Sequence, residues 1–307
     1  MQIIFDQVSR FLETPSHLPK LIVVYGPTAS GKTGLAIEIA KRLGTEVIGA
    51  DSRQIYRFLD IGTGKVTEEE MSGVPHHLID IRNPDDTYSV GGYQRDATAI
   101  IKSMLQKEQT PILCGGTGLY LDAVAFHFDL PPMEPDWEYR DRMETLRLQH
   151  GNTYLWDMLS KIDSEYALSI HPNSHHAVIR ALEVFEKTGQ SKQVLRKKKE
   201  PLYDTLFLTP YDGDRARLYA RINARIEEMF AQGLVEEVQS ILERGYTPDC
   251  FGLNTIGYKE TIEMLEGKID LETCKDRVKQ GNRNYAKRQM TWFRKYPKTT
   301  EKLVLQA

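Results

Sequence analysis

The sequence predicts an α/β protein: a parallel sheet core flanked by helices, with an all-helical subdomain inserted in the middle of the chain. Three observations carry this. Apolar runs of strand length alternate with helix-period stretches as far as Leu130, a glycine-rich turn joins the first run directly to a helix, and a helix-rich stretch then intervenes before a last strand-like run. The chain has 307 residues, 40% hydrophobic and 27% charged, which suffices for a buried core and fits neither a disordered nor a membrane-embedded class.

In chain order, residues 1–20 predict a short amphipathic helix, with Ile4, Val8, Phe11 and Leu12 on one face and Pro15 and Pro19 ending it. The stretch reads as a flanking helix packed on the domain or as a loose extension. Leu21–Tyr25 (LIVVY) is a buried-strand pattern, followed by a Gly-rich turn and the helical GKTGLAIEIAKRLG. TEVIGA predicts a second short strand ending at Asp51. After a mixed region, a helix over Tyr93–Gln106 leads through Pro111 into the strand TPILC, then the turn GGTG and another helix start. LPPMEP at Leu130–Pro135 breaks the pattern, a helical segment runs to about Lys199, and YDTLFLTP returns to the sheet before a mostly helical remainder.

Charge and cysteine content narrow the classes. The formal net charge of −3 offers no global basic field for nucleic acid. Cys114, Cys250 and Cys274 are odd in number and widely spaced, which argues against a disulfide scaffold or a cysteine-rich zinc module. No run approaches the roughly 20 apolar residues of a membrane span. The opening stretch lacks an apolar signal core and carries acids early, so a soluble cytoplasmic protein is expected.

The strongest motif is Gly26-Pro27-Thr28-Ala29-Ser30-Gly31-Lys32-Thr33, a full match to G-x-x-x-x-G-K-[ST] between an apolar strand and a helix. Such a loop curls its backbone N–H groups around a phosphate at the positive end of the following helix. Lys32 supplies a mobile cation for the outer phosphates, and the Thr33 hydroxyl suits Mg²⁺. The motif does not name the reaction: the obvious reading is an ATP- or GTP-dependent enzyme, but TPILC runs into Cys114-Gly115-Gly116-Thr117 with no acid where a magnesium-binding Asp is expected, and no guanine-reading N-K-x-D occurs. The acid at a strand end is Asp51. Alone it reads as a helix cap; convergence of strand ends on one crevice, with the phosphate loop and Thr117, favours a catalytic role.

The segments GPTASGKT, ADSRQIYRFLDIGTGK, VPHHLIDI, GGTGLYL, HPNSHHAVIRALEVFEKTGQ, RINARIEEMFAQGL, IGYKE and YAKRQMTWFRK follow one another in an order that resembles the bacterial tRNA dimethylallyltransferases (tRNA isopentenyltransferases), from about Leu21 to Pro297. The resemblance implies transfer of a dimethylallyl group from dimethylallyl diphosphate to N6 of the adenosine 3′-adjacent to the anticodon, typically in tRNAs reading codons that begin with U. The products are N6-isopentenyladenosine and diphosphate. It implies Mg²⁺ as cofactor, tRNA (through its anticodon stem-loop) as partner, no membrane, and a monomer. Domains expected on this basis are an N-terminal extension (1–20), a phosphate-loop catalytic core (21–130 with 201–307) and an inserted helical tRNA-binding subdomain (131–200).

The chemistry suits these residues. The adenine amine is a poor nucleophile, so a carboxylate taking its proton as the C–N bond forms would help, and Asp51 is the candidate base. Departing diphosphate needs its charge stabilised by the loop amides, Lys32 and Mg²⁺ near Thr33. By resemblance Arg225 lies near the diphosphate and Thr117 near the amine; from spacing alone Arg225 reads as an exposed helix charge paired with Glu227 or Glu228. The target adenine must leave its stack to be reached. The resemblance gives Asp51, Ser52, Arg53 and Gln54 to the flipped base, and Arg140 and the run His176, Ala177, Val178, Ile179, Arg180 to the anticodon loop. His171, His175 and His176 otherwise read as polar surface.

Two basic stretches fit an RNA footprint: Lys187–Lys199, with six basic residues and no acid, and Lys275–Lys298, with nine against Asp276 alone. The aromatics Tyr285, Trp292, Phe293 and Tyr296 could stack on bases, but their spacing favours a core-facing stripe. Gly64 and Arg53 depart from the family's more usual Ala and Met. Alternative readings are an adenylate isopentenyltransferase acting on free nucleotide, a small-molecule kinase, and a phosphate-loop switch.

Overall fold

The computed structural model describes residues 2–128, 135–192 and 200–296. The chain divides into two compact units, Met1–Ala125 with Pro201–Ala307, and Phe126–Glu200.

The first unit holds a five-stranded, fully parallel sheet in the order β3-β2-β4-β1-β5. The strands are β1 (Lys20–Tyr25), β2 (Val47–Gly49), β3 (His76–His77), β4 (Ile112–Gly115) and β5 (Asp204–Leu208). After Lys20, strand β1 is apolar and buried through Tyr25 because both faces of a parallel sheet are covered. Ile22 and Val24 pack with α1 (Gln2–Glu13) and α2 (Lys32–Leu43). Tyr25, at the strand end, meets Phe293 and Tyr296 at ring-centroid distances of 5.1 and 4.9 Å. The two-residue β3, drawn from VPHHLIDI, is too short to register as a sequence pattern.

Helix α1 belongs to this core. Ile4, Phe5 and Val8 are buried, with Phe11 and Leu12 partly so, and the Arg42 guanidinium lies 3.4 Å over the Phe5 ring. The unit continues with α3 (Glu68–Met71), α4 (Val90–Gln106) and α5 (Gly118–Ala125). Ser89 starts α4 by accepting the Gly92 N–H, and Tyr93 stacks on Tyr120 of α5 at 4.0 Å.

The second unit is helical: α6 (Trp137–His150), α7 (Asn152–Ile162), α8 (Ser164–Leu168) and α9 (His175–Thr188). Its core is Met143, Leu155, Leu159, Tyr166, Val178, Ile179 and Leu182. The first unit then resumes with β5, α10 (Arg215–Ala231), α11 (Leu234–Glu243), α12 (Tyr258–Leu265) and α13 (Leu271–Phe293). Asp214 and Asp270 cap α10 and α13 by accepting the Arg217 and Thr273 N–H groups. These helices enclose a second core with Ile55, Tyr56 and Leu59. No helix among the described residues is long and apolar enough to cross a membrane.

Candidate active site

Neighbouring strands β2, β4 and β1 end on the same edge of the sheet, and the three loops that leave them build the site. The loop after β1, Gly26–Gly31, turns through left-handed backbone at Ala29 (φ 60°) and Gly31 (φ 87°) into α2. This aims main-chain N–H groups and the helix N-terminus at one point. Lys32, half-buried, has its pKa lowered, first by burial; the nearby Asp51 carboxylate opposes that shift and Arg225 adds to it.

The loops are tied to one another. The Ala50 N–H donates to the Cys114 carbonyl at 2.8 Å and the Thr117 N–H to the Ala50 carbonyl at 3.1 Å. Thr117 Oγ1 accepts the Ser52 N–H at 2.9 Å and lies 3.3 Å from Ser52 Oγ. Asp51 Oδ1 accepts the Arg53 N–H at 2.9 Å, and Arg53 Nη1 donates to the Phe251 carbonyl at 3.0 Å. Cys114 beneath them is buried, which pushes its thiol up to about 12.

Thr28, Lys32, Asp51, Ser52 and Arg53 line one cavity of about 310 Å³. Its remaining wall is Gly62, Thr63, Asn254, Thr255, Ile256 and Lys259, then Asn282, Tyr285, Arg288 and Gln289 of α13. The sequence offers Arg288 only as part of a basic RNA footprint and Tyr285 as a base-stacking or core residue, and does not single out Asn282 or Gln289. Gln289 is 5% exposed and bridges two loops, its Oε1 accepting the Thr28 N–H and its Nε2 donating to the Gly116 carbonyl, both at 2.9 Å. The one clue is a glutamine within an otherwise aromatic stripe. Tyr285 corrects the core-stripe expectation. It meets the Thr117 side chain in the cavity, and its pKa is raised by burial and then by Asp51. Phe293 and Tyr296 do lie in the core.

Arg225 is half-buried, and the exposed pairing expected from spacing is not what forms. Its Nη2 donates to the Gly64 carbonyl at 3.1 Å with Asp51, Glu70 and Glu228 around it, while Glu227 pairs with Lys275 (3.1 Å) and Lys279 (2.5 Å). Burial lowers the Arg225 pKa. Gly64 has φ 55°, and a Cβ there would fall 1.6 Å from Arg225 Nη2, so the glycine makes room for the guanidinium. Gln54 Nε2 donates to the Thr63 and Gly64 carbonyls at 3.3 and 3.1 Å.

In the helical unit, Arg140 and Arg180 converge on Glu183, which is fully buried, at 2.9 and 2.6 Å, and Glu183 also accepts the Asp136 N–H at 2.7 Å. Val178 (0% exposed) and Ile179 (5%) are core residues, so their side chains cannot meet RNA. The run 176–180 therefore offers a partner only His176, Ala177 and Arg180. Burial, then the neighbouring His175, lowers the His176 pKa.

The basic stretches divide as well. Lys275 and Lys279 pair with Glu227, Arg277 with Glu263 and Lys295 with the buried Asp122, whereas Lys287, Arg288 and Arg294 line an open groove of about 1000 Å³ along α13, with Lys295 at its wall. Arg196–Lys199 and Lys298 lie outside the described residues.

A parallel sheet, a phosphate loop after β1 and an acid after β2, on the same edge with β4 between them, define a phosphate-loop enzyme. The IPP transferase family model matches residues 54–296. A tRNA dimethylallyltransferase of Caldanaerobacter subterraneus subsp. tengcongensis is 43% identical, over 90% of this chain and 89% of its own. One from Bacillus mycoides is 45% identical, over 90% and 87%. The crystal structure of a full-length tRNA isopentenylpyrophosphate transferase from Bacillus halodurans aligns with a TM-score of 0.65 at 43% identity, covering 90% and 87% of the two chains. A eukaryotic dimethylallyltransferase acting on tRNA aligns with a TM-score of 0.75 at 29% identity, covering 90% and 70%. The chain belongs to the IPP transferase family.

Proposed function

We propose that this protein transfers the dimethylallyl group of dimethylallyl diphosphate to N6 of the adenosine 3′-adjacent to the anticodon of tRNA. The observation that carries the reading is the convergence of Lys32, Asp51, Thr28 and Tyr285 on one cavity beside Thr117.

The phosphate-loop amides and Lys32 bind the diphosphate, and Arg225 adds a cation on the Gly64 side. The N6 lone pair attacks the allylic C1 as the C1–O bond breaks, leaving the electron pair on diphosphate. Asp51 takes the N6 proton; Thr117, fixed by Ser52, orients the amine. Burial lowers the Lys32 pKa, so an incoming anion restores a favourable environment for its charge. The hydroxyl of Thr33 in the first turn of α2 is a hard oxygen donor of the kind Mg²⁺ takes, alongside substrate oxygens and water. Bound there, Mg²⁺ would offset charge on the departing diphosphate. Beside this cavity, Ser52, Arg53 and Gln54 meet the extruded base; Arg140, His176, Ala177 and Arg180 contact the anticodon loop.

The test incubates purified protein with radiolabelled dimethylallyl diphosphate and, separately, unmodified tRNA or AMP. Label on tRNA alone supports the proposal. Label on AMP moves the acceptor to free nucleotide, and label on neither overturns prenyl transfer.

A further inference from the structure

The segment leaving β2 carries Asp51–Gln54 at its start and the carbonyls that hold Gln54 and Arg225 at its end. Between them, three consecutive backbone N–H groups converge on one carboxylate. Glu237, in the first turn of α11, accepts the N–H of Asp60 (3.1 Å) and Ile61 (2.7 Å) at Oε2 and that of Gly62 (3.1 Å) at Oε1. The Tyr258 phenol donates to the same Oε1 at 2.6 Å.

Successive main-chain N–H groups of this kind form an anion-binding nest, and here the anion is a side chain of the same protein. Hydrogen bonds to an ionised acceptor are roughly twice as strong as neutral ones. Tyr258 is fully buried, and burial followed by the Glu237 charge raises its pKa well above the ordinary value, so it stays a donor. Gly62 lies flat against the ring; a Cβ there would come within 2.5 Å of it.

The other side of this anchored turn faces the site. The Thr63 and Gly64 carbonyls accept Gln54 Nε2, and the Gly64 carbonyl also accepts Arg225 Nη2. Lys65 separately fastens the end of the segment to the Tyr56 carbonyl (2.9 Å) and to Asp60 and Asp80 (2.5 Å each). Loss of Glu237 should therefore loosen residues 60–64 rather than the whole segment.

We propose that Glu237 is a positioning residue for both substrates: by anchoring residues 60–62 it fixes the two carbonyls that aim Gln54 at the RNA base and Arg225 at the diphosphate. The inference rests on the roles proposed above for Gln54 and Arg225.

The experiment compares the Glu237→Gln and Tyr258→Phe variants with Arg225→Ala, Gln54→Ala and the double variants Glu237→Gln/Arg225→Ala and Glu237→Gln/Gln54→Ala. Folding is verified by circular dichroism, and KM and kcat are measured for dimethylallyl diphosphate and an anticodon stem-loop RNA. Glu237→Gln should raise both KM values about tenfold, the scale of lost hydrogen bonds to a charged group, and Tyr258→Phe should shift both less. In each double variant the combined effect should fall short of the product of the single effects. Unchanged KM values in folded Glu237→Gln, or strictly multiplicative effects, would overturn the inference, since a carboxylate that only stabilises the fold moves neither. If Glu237→Gln does not fold, Tyr258→Phe alone and combined with Arg225→Ala decides by the same criteria. Failure of the underlying roles looks different: Arg225→Ala and Gln54→Ala would leave both KM values unchanged, overturning those assignments and this inference with them.

Discussion

Replacing Gln289 with leucine, similar in size but unable to hydrogen bond, tests whether α13 holds the phosphate loop in place. The change strands two groups, the Thr28 N–H and the Gly116 carbonyl. A buried backbone group left without a partner costs ~1–3 kcal/mol. Gly116 is buried and should incur that cost in full, whereas Thr28 is half-buried and reachable by water, so its share is smaller. The sum is ~2–4 kcal/mol, a large part of the 5–15 kcal/mol typical of a folded domain. Urea unfolding followed by circular dichroism should register this loss. With saturating magnesium diphosphate the loss should grow by ~1 kcal/mol, because a loop no longer held by α13 binds the anion more weakly than the wild-type loop and gains less stability from it. Amide exchange over residues 26–33 should be faster in the variant with diphosphate bound as well as without it. A loss below ~1 kcal/mol, or a diphosphate affinity equal to wild type, would refute the buttress reasoning.

Three other outcomes are expected. Asp51→Ala should fold and bind diphosphate while kcat for transfer falls ~10²–10⁴-fold, the usual contribution of a general base; normal turnover in a single-turnover assay would remove Asp51 from that role. Lys32→Ala should weaken donor binding, and because burial lowers the Lys32 pKa, wild-type donor affinity should decline as pH rises toward, but still below, the ordinary lysine value of 10.5. Affinity flat to that value, measured by calorimetry, would contradict it. Glu183→Leu should destabilise the helical unit by ~3–5 kcal/mol, since it leaves Arg140 and Arg180 facing each other without their carboxylate. Burial opposes the Glu183 charge, but the Asp136 N–H and the two guanidiniums outweigh it and hold the pKa below the ordinary 4.5. Its stabilisation is thus fully present above that value and lost as pH falls through the folded-state pKa, which a melting-temperature series in acid would detect.

Strands β1, β2, β4 and β5, from LIVVY to YDTLFLTP, were legible because buried parallel strands are short, apolar and punctuated by turns, whereas the two-residue β3 was not. Lys32 was legible from the glycine-rich motif that follows β1, and Asp51 and Thr117 because each lies two residues beyond a strand end. Gln289, Tyr285 and Asn282 were not, because α13 reaches the cavity by tertiary packing and its helical period does not reveal which face meets a loop far away in sequence. Arg225 shows the same limit: Glu227 and Glu228 beside it in sequence suggested a surface pair, while the structure turns the arginine toward Gly64 and gives Glu227 to α13 lysines. Val178 and Ile179 sit within a run of candidate contacts, yet the helical period assigns them to the core.

The phosphate loop is shared by enzymes that hydrolyse nucleotides, so what separates this site from theirs has to lie around it. Transfer from an allylic diphosphate is limited by charge developing on the leaving group and by a weakly basic amine that must lose a proton. Fixed dipoles serve the first need best when they need not reorganise as the bond breaks. Here Thr28 is held through Gln289, which also grips the β4 loop, and that loop holds Ser52 beside Asp51 through Thr117. On the roles proposed above, the acceptor side and the leaving-group side are thus members of one hydrogen-bonded chain. A substitution anywhere along it should then disturb base and cradle together, which would make α13, remote in sequence from both motifs, a positioning element of the site.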